Sequence, residues 1–363
     1  MKNKEPKKAI IKREDKIEKQ LKEMTIEEKI GQMLIVEYNS NYVDEDLKTI
    51  LNSTPPGGFI LMQENITTFD DTRKLVSDLN ENSKYPLIIS IDEEGGNVQR
   101  LNNLTDANPT YIPFMYNLNG NREKAYITGK VIAEEVRTIG VNVDFAPVID
   151  IYSNPNNKVI GKRSFGSDPN VVGEMGIFLS KGLEDNNVIA TYKHFPGHGD
   201  TDVDSHKSLP IINKSIEDLQ KTEFIPFKKA IESNAKIIMV GHIALPQITG
   251  SNEPSSLSKT VIDILKKDLG YKGIVITDAL NMGALTNTYS NEEIYIKAIE
   301  AGNDLLLIPN DGIDTINIIK DKISEERIDE SVRKILKFKE KYLKNELLDK
   351  SYLGSEEHKQ LVQ

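Results

Sequence analysis

Three histidines and three aspartates are concentrated in one short segment of the sequence, KHFPGHGDTDVDSH, which spans residues 193–206. The histidines are His194, His198 and His206, and the whole chain of 363 residues contains only five. Imidazole and carboxylate groups can bind a metal ion, transfer protons near neutral pH or simply occupy a polar loop. The elements that position this segment decide between these alternatives.

A metal site is the less favoured chemical alternative. The spacing of the three histidines matches no zinc-binding signature. Histidines four residues apart share a face only on a helix, and Pro196 and Gly197 disfavour a helix between His194 and His198. We therefore expect no metal and no cofactor, which leaves proton transfer and a polar loop without chemistry as the alternatives for this segment.

The composition limits the classes of partner. With 56 acidic and 46 basic residues the formal net charge is −10, which disfavours a nucleic-acid binder because such affinity depends on neutralising phosphates. The chain has no cysteine, so it forms no disulfide and no thiolate site. Its longest apolar runs are strand-sized, well short of the ~20 residues of a membrane helix. We expect a small-molecule or neutral-polymer substrate, no nucleic acid and no membrane span.

The two ends of the chain are interpreted as extensions of one domain. Residues 1–23 begin MKNKEPKKAIIKRED, are rich in lysine and lack the apolar core of a signal peptide, which indicates a charged tail or leading helix. Residues 346–363 are interpreted as a C-terminal tail, and a monomer is expected. A cytoplasmic location follows from the sequence as it stands, and an exported or envelope-anchored protein whose signal was removed is the alternative.

Eight short runs rich in Ile, Val and Leu recur between residues 24 and 345, each followed by a longer amphipathic stretch. They are IGQMLIVEY from residue 30, GGFILM from 57, PLIISID from 86, VNVDFAPVID from 141, VIATYKHF from 188, AKIIMVGHI from 235, GIVITDAL from 273 and DLLLIP from 304. Near-continuous apolar character is typical of strands in a parallel sheet. The pattern predicts an α/β fold, a single-domain (β/α)8 TIM barrel over residues 24–345, with a doubly wound open sheet as the alternative.

Two of the intervening stretches have recognisable helix starts. SIEDLQKTEFIPFKKAIESN begins with Ser215 as an N-cap candidate. SEERIDESVRKILKFKEKYL begins with Ser324 and predicts a charged amphipathic helix that closes the fold.

Polar side chains directly follow several predicted strands. Asp92 follows PLIIS, Lys193 and His194 follow VIATY, His242 follows IIMVG, and Asp278 follows GIVIT. In a parallel barrel the active site lies at the carboxyl ends of the strands, so we expect these side chains to meet at one rim. Core packing does not explain such a grouping, whereas a pocket does.

Four further motifs accompany the histidine segment: IDEEGGNVQRL at residues 91–101, GKRSFGSD at 161–168, PSSLS at 254–258 and VITDALNMGAL at 275–285. Together they resemble the β-N-acetylglucosaminidases of glycoside hydrolase family 3, and the resemblance extends over residues 24–343. It implies a single-domain TIM barrel that removes terminal β-linked N-acetylglucosamine. Peptidoglycan fragments (muropeptides) are the expected substrates, with chitin oligosaccharides as the alternative.

The resemblance also implies catalytic roles. Retaining glycosidases need a carboxylate nucleophile and a group that donates and later accepts a proton. The family pattern places the nucleophile at Asp278 and the proton carrier at His206, assisted by Asp204. An imidazole of pKa ~6.5 titrates near neutral pH without the upward shift that a carboxyl group needs. Capping of the following helix is the structural alternative for Asp278.

The resemblance further implies six side chains that bind sugar hydroxyls, with the last a weaker candidate: Asp92, Arg100, Arg163, Lys193, His194 and His242. Without it, Asp92 is as well explained by a structural ion pair, and Arg163 by a surface position. His198 is expected to order its own loop. Because the chain has no tryptophan, any stacking on a sugar must use Tyr or Phe.

Two other functions use the same residues. A phosphorylase would let phosphate attack the glycosyl-enzyme, because a histidine acid/base repels an incoming anion less than a carboxylate does. A barrel that binds carbohydrate without turnover is disfavoured by the presence of all three catalytic candidates. Asn97 and Asn281 depart from the family pattern at the pocket rim and beside Asp278, without a consequence for the reaction.

Overall fold

A ring of eight parallel strands forms the core of the structure, a computed structural model that describes residues 16–201 and 204–363. The strands of the described chain are β1 (Leu34–Val36), β2 (Gly58–Ile60), β3 (Ile88–Ile91), β4 (Glu93–Gly95), β5 (Val98–Gln99), β6 (Val143–Asp144), β7 (Ile189–Phe195), β8 (Ile237–Val240), β9 (Ile274–Thr277) and β10 (Leu306–Leu307). All but β4 and β5 pair in parallel, in the order β10-β1-β2-β3-β6-β7-β8-β9. A parallel bridge between Ile276 and Leu305 closes the ring between β9 and β10.

Helices surround this ring. They are α1 (residues 16–23), α2 (Ile26–Gln32), α3 (Glu45–Ser53), α4 (Phe69–Asn82), α5 (Arg122–Val136), α6 (Pro169–Asp185), α7 (Ile216–Lys221), α8 (Phe224–Glu232), α9 (Pro246–Thr249), α10 (Lys259–Asp263), α11 (Gly283–Thr286), α12 (Asn291–Ala301), α13 (Thr315–Lys320), α14 (Glu325–Tyr342) and α15 (Glu356–Leu361). The predicted (β/α)8 TIM barrel is confirmed, because each of the eight apolar runs contains one strand of the ring.

Both predicted helix starts are present. The Ser215 hydroxyl accepts the Asp218 N–H at 3.2 Å, and the Ser324 hydroxyl accepts the Arg327 N–H at 3.3 Å. The stretch from Ser215 forms two helices, α7 and α8, rather than one. Pro226 has no N–H and is tolerated only in the first turn of a helix, so the chain restarts its helix two residues before it.

The hairpin of β4 and β5 was not predicted. Its strands are three and two residues long, too short to show a periodicity in the sequence. The turn between them uses Gly95 and Gly96 at positive φ, a conformation that glycine adopts without strain. The hairpin directly follows β3, so it lies over the carboxyl end of the ring.

The two ends of the chain lie against the barrel where the structure describes them. Residues 1–15 of the predicted N-terminal segment lie outside the described residues, whereas α1 pairs with α14 through Glu18 and Arg333, whose Nε lies 2.5 Å from the carboxylate. The segment interpreted as a C-terminal tail, residues 346–363, packs against α5 through α15. The first residue of this segment, Glu346, accepts a hydrogen bond at its carbonyl from the Arg137 guanidinium at 2.8 Å.

Helix α14 closes the amino-terminal end of the barrel with a buried lysine. The Lys339 ammonium group donates to the Gln32 side-chain oxygen and to the Pro86 carbonyl, both at 2.7 Å. Both acceptors are neutral. Burial without a carboxylate partner lowers the pKa of Lys339 to about 7.

The Lys339→Met variant should reveal this buried amine in the pH dependence of stability. Above pH 7 the folded protein holds Lys339 neutral, while the unfolded chain still binds the proton up to the ordinary lysine pKa of 10.5. The free energy of unfolding of the wild type, relative to the variant, should therefore rise with pH above neutrality, by up to about 1.4 kcal/mol per pH unit. Urea unfolding between pH 6 and 10 measures it.

Lys337→Met is the matched control, because Lys337 is an exposed residue of the same helix. The difference between its unfolding free energy and that of the wild type should be the same at every pH. Parallel curves for Lys339→Met as well would show that Lys339 keeps its proton in the fold.

Candidate active site

The predicted site residues meet at the carboxyl end of the barrel. Asp92 directly follows β3, Lys193 and His194 lie near the carboxyl end of β7, His242 lies two residues past β8, and Asp278 directly follows β9. The Lys193 ammonium group reaches across to Asp92 and lies 2.7 Å from its carboxylate. Side chains that are as much as 186 positions apart in the sequence are thus brought together by the ring.

Glu94, in β4, connects three of these segments. Its two oxygens accept a bidentate pair of hydrogen bonds from the Arg163 guanidinium at 2.7 and 2.8 Å. Lys193 lies 2.5 Å from the same carboxylate. Burial opposes ionisation of Glu94, but the charges of Arg163 and Lys193 outweigh it and hold the pKa of Glu94 far below its usual range. Glu94 is therefore a buried anion that holds two cations.

The outer members of this network are the ones that a ligand can reach. The side chains of Lys193 and Glu94 are 4% and 3% exposed, whereas those of Asp92 and Arg100 are 19% and 34% exposed. Arg100 lies 4.0 Å from the Asp92 carboxylate. Fixed donors and acceptors at this spacing can hold the hydroxyl groups of a sugar in one orientation.

A second buried carboxylate, Asp150, orients the histidines. One oxygen lies 2.7 Å from Nδ1 of His194, and the other accepts the backbone N–H of His198 at 2.7 Å. Because a carboxylate only accepts, Nδ1 of His194 carries a proton and Nε2 is left for a ligand. Burial opposes ionisation of Asp150, but His194 and His198 lower its pKa.

Asp278 is held at the end of β9 by its neighbours. Its carboxylate accepts the Ala279 N–H at 2.8 Å. Burial opposes its ionisation, but His194 foremost, together with that N–H and Lys193, lowers the pKa of Asp278. Asp278 is therefore an anion at neutral pH, the state that a nucleophile requires.

His242 supports this turn rather than facing a ligand. Its ring is fully buried, with Nε2 2.9 Å from the Ala279 carbonyl and Nδ1 2.7 Å from the Ser256 hydroxyl. The carbonyl requires a proton on Nε2, so Nδ1 accepts from the hydroxyl and the ring is neutral, in keeping with burial lowering the pKa of His242. Both ring nitrogens are occupied, which favours a positioning role for His242 over the sugar contact implied by the sequence.

His206 and Asp204 form an exposed pair on the loop after β7. The Asp204 carboxylate lies 2.8 Å from Nδ1 of His206 and accepts its backbone N–H at 3.0 Å, and the His206 side chain is 70% exposed. The loop rests on the turn after Asp278, where the Gly283 N–H donates to the His206 carbonyl at 3.2 Å. Burial opposes ionisation of Asp204, but the hydrogen bonds from His206 lower its pKa.

His198 orders this loop, as expected from the sequence. Its Nδ1 lies 2.9 Å from the Thr201 hydroxyl, and its Nε2 lies 3.2 Å from the Ser205 hydroxyl. Burial lowers the pKa of His198, which keeps the ring neutral.

A cleft of about 950 Å³ opens beside His206. Asp204, Arg163, Asn97 and Phe114 are among its lining residues, whereas Asp278 lies at the barrel mouth and not in this lining. Three lysines also line it: Lys158, Lys162 and Lys207. The wall next to the exposed histidine is therefore basic, although the chain as a whole is acidic.

Asp150 and Glu94 were missed by the sequence reasoning. Asp150 ends the apolar run VNVDFAPVID, so the rule that selected Asp92 and Asp278 applies to it equally. Glu94 follows Asp92 by two residues, but only the hairpin turns it towards Arg163.

Within residues 16–201 and 204–363, no three metal-ligating side chains lie close enough to share an ion, and no helix there is both long and apolar enough to span a bilayer.

Substituting the two neighbouring glutamates should separate charge from shape. Glu94→Gln removes the carboxylate that pairs with the Arg163 guanidinium and leaves Lys193 with Asp92 alone, so it should lower the free energy of unfolding by about 3 kcal/mol. Glu93→Gln is the control, because burial raises the pKa of Glu93 to about 8 and its carboxyl is already mostly neutral at pH 7. That variant should lose less than about 1 kcal/mol. Equal losses in chemical denaturation would contradict the assigned charges.

Comparison with known proteins identifies the family of the chain. The profile of the glycosyl hydrolase family 3 N terminal domain matches residues 25–338. Beta-hexosaminidase A of Pseudoalteromonas piscicida is 29% identical over 399 residues, which cover 93% of this chain but 65% of that protein. Beta-hexosaminidase LpqI of Mycobacterium tuberculosis is 32% identical over 290 residues, which cover 77% of this chain and 72% of that protein. The chain thus spans less than two thirds of the length of the first relative.

Three solved structures share the fold. A glycoside hydrolase family 3 beta-N-acetylglucosaminidase from Paenibacillus sp. str. FPU-7 has a TM-score of 0.86 at 34% identity, over 93% of this chain and 68% of that one. The beta-glucoside phosphorylase BglX has a TM-score of 0.86 at 25% identity, over 97% and 66%. NagZ from Neisseria gonorrhoeae, in complex with N-trifluoroacetyl-D-glucosamine, has a TM-score of 0.72 at 27% identity, over 84% and 89%. The first of the three is a beta-N-acetylglucosaminidase of the family that the motifs resemble.

Proposed function

The chain belongs to glycoside hydrolase family 3, and on that premise we propose that it is a retaining exo-β-N-acetylglucosaminidase that acts on peptidoglycan fragments. One observation carries the proposal. A carboxylate kept ionised at the end of β9, Asp278, precedes the turn on which the loop of an exposed imidazole, His206, rests. An anionic nucleophile and an accessible proton carrier at one end of a barrel are the two groups that the reaction requires.

In the proposed reaction Asp278 attacks the anomeric carbon of the terminal N-acetylglucosamine and forms a glycosyl-aspartate. His206 donates its proton to the departing glycosidic oxygen, so that bond breaks as the ester bond forms. A water molecule then gives its proton to His206 and attacks the same carbon, which releases the sugar with retained configuration. Asp204 holds Nδ1 of His206, which leaves Nε2 for both proton transfers.

The charged network supplies the proposed sugar site. Asp92 and Arg100 are its partly exposed members, and Arg163 borders the adjacent cleft. Lys193 and Glu94 are buried and hold these groups in place. His194, with its Nδ1 fixed by Asp150, offers Nε2 to a hydroxyl group or to the developing charge.

The basic cleft favours a negatively charged leaving group. Muramic acid carries a carboxylate, and its attached peptide carries more, whereas chitobiose releases a neutral sugar. Lys158, Lys162 and Lys207 line the cleft beside His206, where the leaving group would lie. Attraction between these ammonium groups and carboxylates supports muropeptides over chitin oligosaccharides as substrates.

A leaving-group test addresses the roles of His206 and Asp278. His206→Ala should lower kcat/KM about 10³-fold on a muropeptide disaccharide but about tenfold or less on an aryl N-acetylglucosaminide whose leaving group needs no protonation. Asp278→Ala should abolish both activities. Steady-state kinetics on both substrates measure this, and equal losses for His206→Ala would remove the histidine from the proton-transfer step.

A lysine test addresses the leaving group. The triple change of Lys158, Lys162 and Lys207 to Gln should lower kcat/KM for the muropeptide by about tenfold, since each exposed pair contributes about 0.5 kcal/mol. Its kcat/KM for chitobiose should change much less. The wild type should lose its muropeptide preference in high salt. A variant that is equally impaired on both substrates would contradict an electrostatic role.

Phosphorolysis is the second candidate, and the same lysines favour it. A basic wall beside a histidine acid/base can accommodate an incoming phosphate, and a structural relative is a beta-glucoside phosphorylase. Turnover of the substrates with and without inorganic phosphate separates the two reactions. N-acetylglucosamine 1-phosphate as the main product would replace hydrolysis by phosphorolysis and keep the covalent intermediate.

A further inference from the structure

Phe114 presents an aromatic surface to the cleft beside His206. The ring lines the cleft and is partly exposed, with the Lys162 ammonium group 6.0 Å from its centroid. It packs on the backbone of Gly96, where a Cβ would overlap the ring. It is the aromatic member of the described lining, in a chain that has no tryptophan. An aromatic face in this position can pack against the apolar face of a sugar ring.

The chain around Phe114 is attached on one side to the hairpin. The Gly96 N–H donates to the Ile112 carbonyl at 2.9 Å, and the Ile112 N–H donates to the Gln99 side chain at 3.2 Å. These bonds fix the segment just before Phe114 to β5 and to the turn that precedes it.

The other attachment is to the C-terminal segment through Glu135 of α5. This buried carboxylate accepts the Thr110 N–H at 3.0 Å, the Gly354 N–H at 2.9 Å and Nδ1–H of His358 at 3.1 Å. Thr110 lies four residues before Phe114. Gly354 also contacts Asn108 so closely that a Cβ there would overlap the Asn108 carbonyl. One carboxylate therefore joins the cleft segment, α5 and residues 346–363.

His358 completes this junction as a buried cation. Its second nitrogen, Nε2, lies 2.9 Å from the Glu134 carboxylate, so both ring nitrogens face acceptors and both carry protons. Burial opposes the charge, but Glu135 and Glu134 outweigh it and raise the pKa of His358. Other described groups that face this cluster are the Tyr352 ring, 6.1 Å from the His358 ring, Lys130, 3.8 Å from Glu134, and Glu93 of β4, which interacts electrostatically with Glu135.

We propose that Phe114 is the surface on which the leaving sugar stacks, and that His358, acting through Glu135, is a positioning residue that holds this surface in place. The inference rests on the proposed function and deepens it, because it defines the subsite for the leaving group. The segment after α14 is then part of the binding apparatus, although it lies on the outside of the barrel.

A ratio of activities tests the stacking surface. The two substrates are a muropeptide disaccharide and N-acetylglucosaminyl fluoride, which has no leaving sugar. Phe114→Ala should lower the ratio of kcat/KM on the disaccharide to kcat/KM on the fluoride about tenfold, mainly through KM, and Phe114→Tyr should restore it. Tyr111→Ala is the matched control, since Tyr111 is an exposed aromatic residue three positions earlier in the same segment. Its ratio should equal that of the wild type.

The possible results distinguish this inference from the proposed function. A wild type without activity on the fluoride would overturn the proposed function itself. A wild type active on both substrates, with an unchanged ratio in Phe114→Ala, would overturn the stacking role alone. A ratio equal to that of the wild type in Phe114→Leu would show that the position needs only apolar volume. This result would also overturn the stacking role.

The pH profile of the same ratio tests His358. The raised pKa means that His358 carries its charge and both ring N–H groups at low pH, and that it loses the charge and one of the two N–H groups as pH rises through that pKa. The wild-type ratio should exceed that of His358→Asn several-fold at low pH and converge on it as pH rises. Glu134→Gln, which keeps the Glu135 bonds, should show the same convergence at a lower pH. If the activity ratio of the wild type differed from that of both variants by the same factor at every pH, or did not differ at all, the positioning role would be overturned.

Discussion

The site depends on one electrostatic constraint, the compensation of two buried cations by Glu94. Arg163 and Lys193 come from different loops and strands, and neither cation is stable away from water without an anionic partner. The β4–β5 hairpin exists where it does because it delivers that partner over the carboxyl end of the ring. Asp92 and Arg100 then reach the open side on a framework whose charges are already balanced.

The four histidines at this end of the barrel differ in role according to how far each ring is buried. His198 and His242 are buried and neutral, and their ring nitrogens are used by hydroxyl and carbonyl groups of the protein. His194 has one nitrogen fixed by Asp150 and one left for a ligand. His206 alone is exposed, with a carboxylate that orients it. The number of histidines in the sequence does not indicate these roles. The groups that surround each ring in the structure do indicate them.

The fold was predictable because the strands of a parallel barrel appear in the sequence as near-continuous apolar runs. The rim residues were predictable because they directly follow those runs. GIVIT before Asp278 and VIATY before Lys193 are examples. The hairpin and the role of Glu94 were not predictable, since two- and three-residue strands leave no periodicity. The docking of residues 346–363 escaped prediction because it depends on His358 meeting two carboxylates of α5, a tertiary contact without a local pattern.

The seam between β9 and β10 closes the ring beside the proposed nucleophile. Backbone hydrogen bonds cross it in both directions: the Leu305 N–H donates to the Val275 carbonyl and the Thr277 N–H donates to the Leu305 carbonyl, both at 3.1 Å. The Thr277 hydroxyl adds a bond by accepting the Leu307 N–H at 3.1 Å. Asp278 directly follows β9, so the same bonds that close the barrel also set the position of its carboxylate.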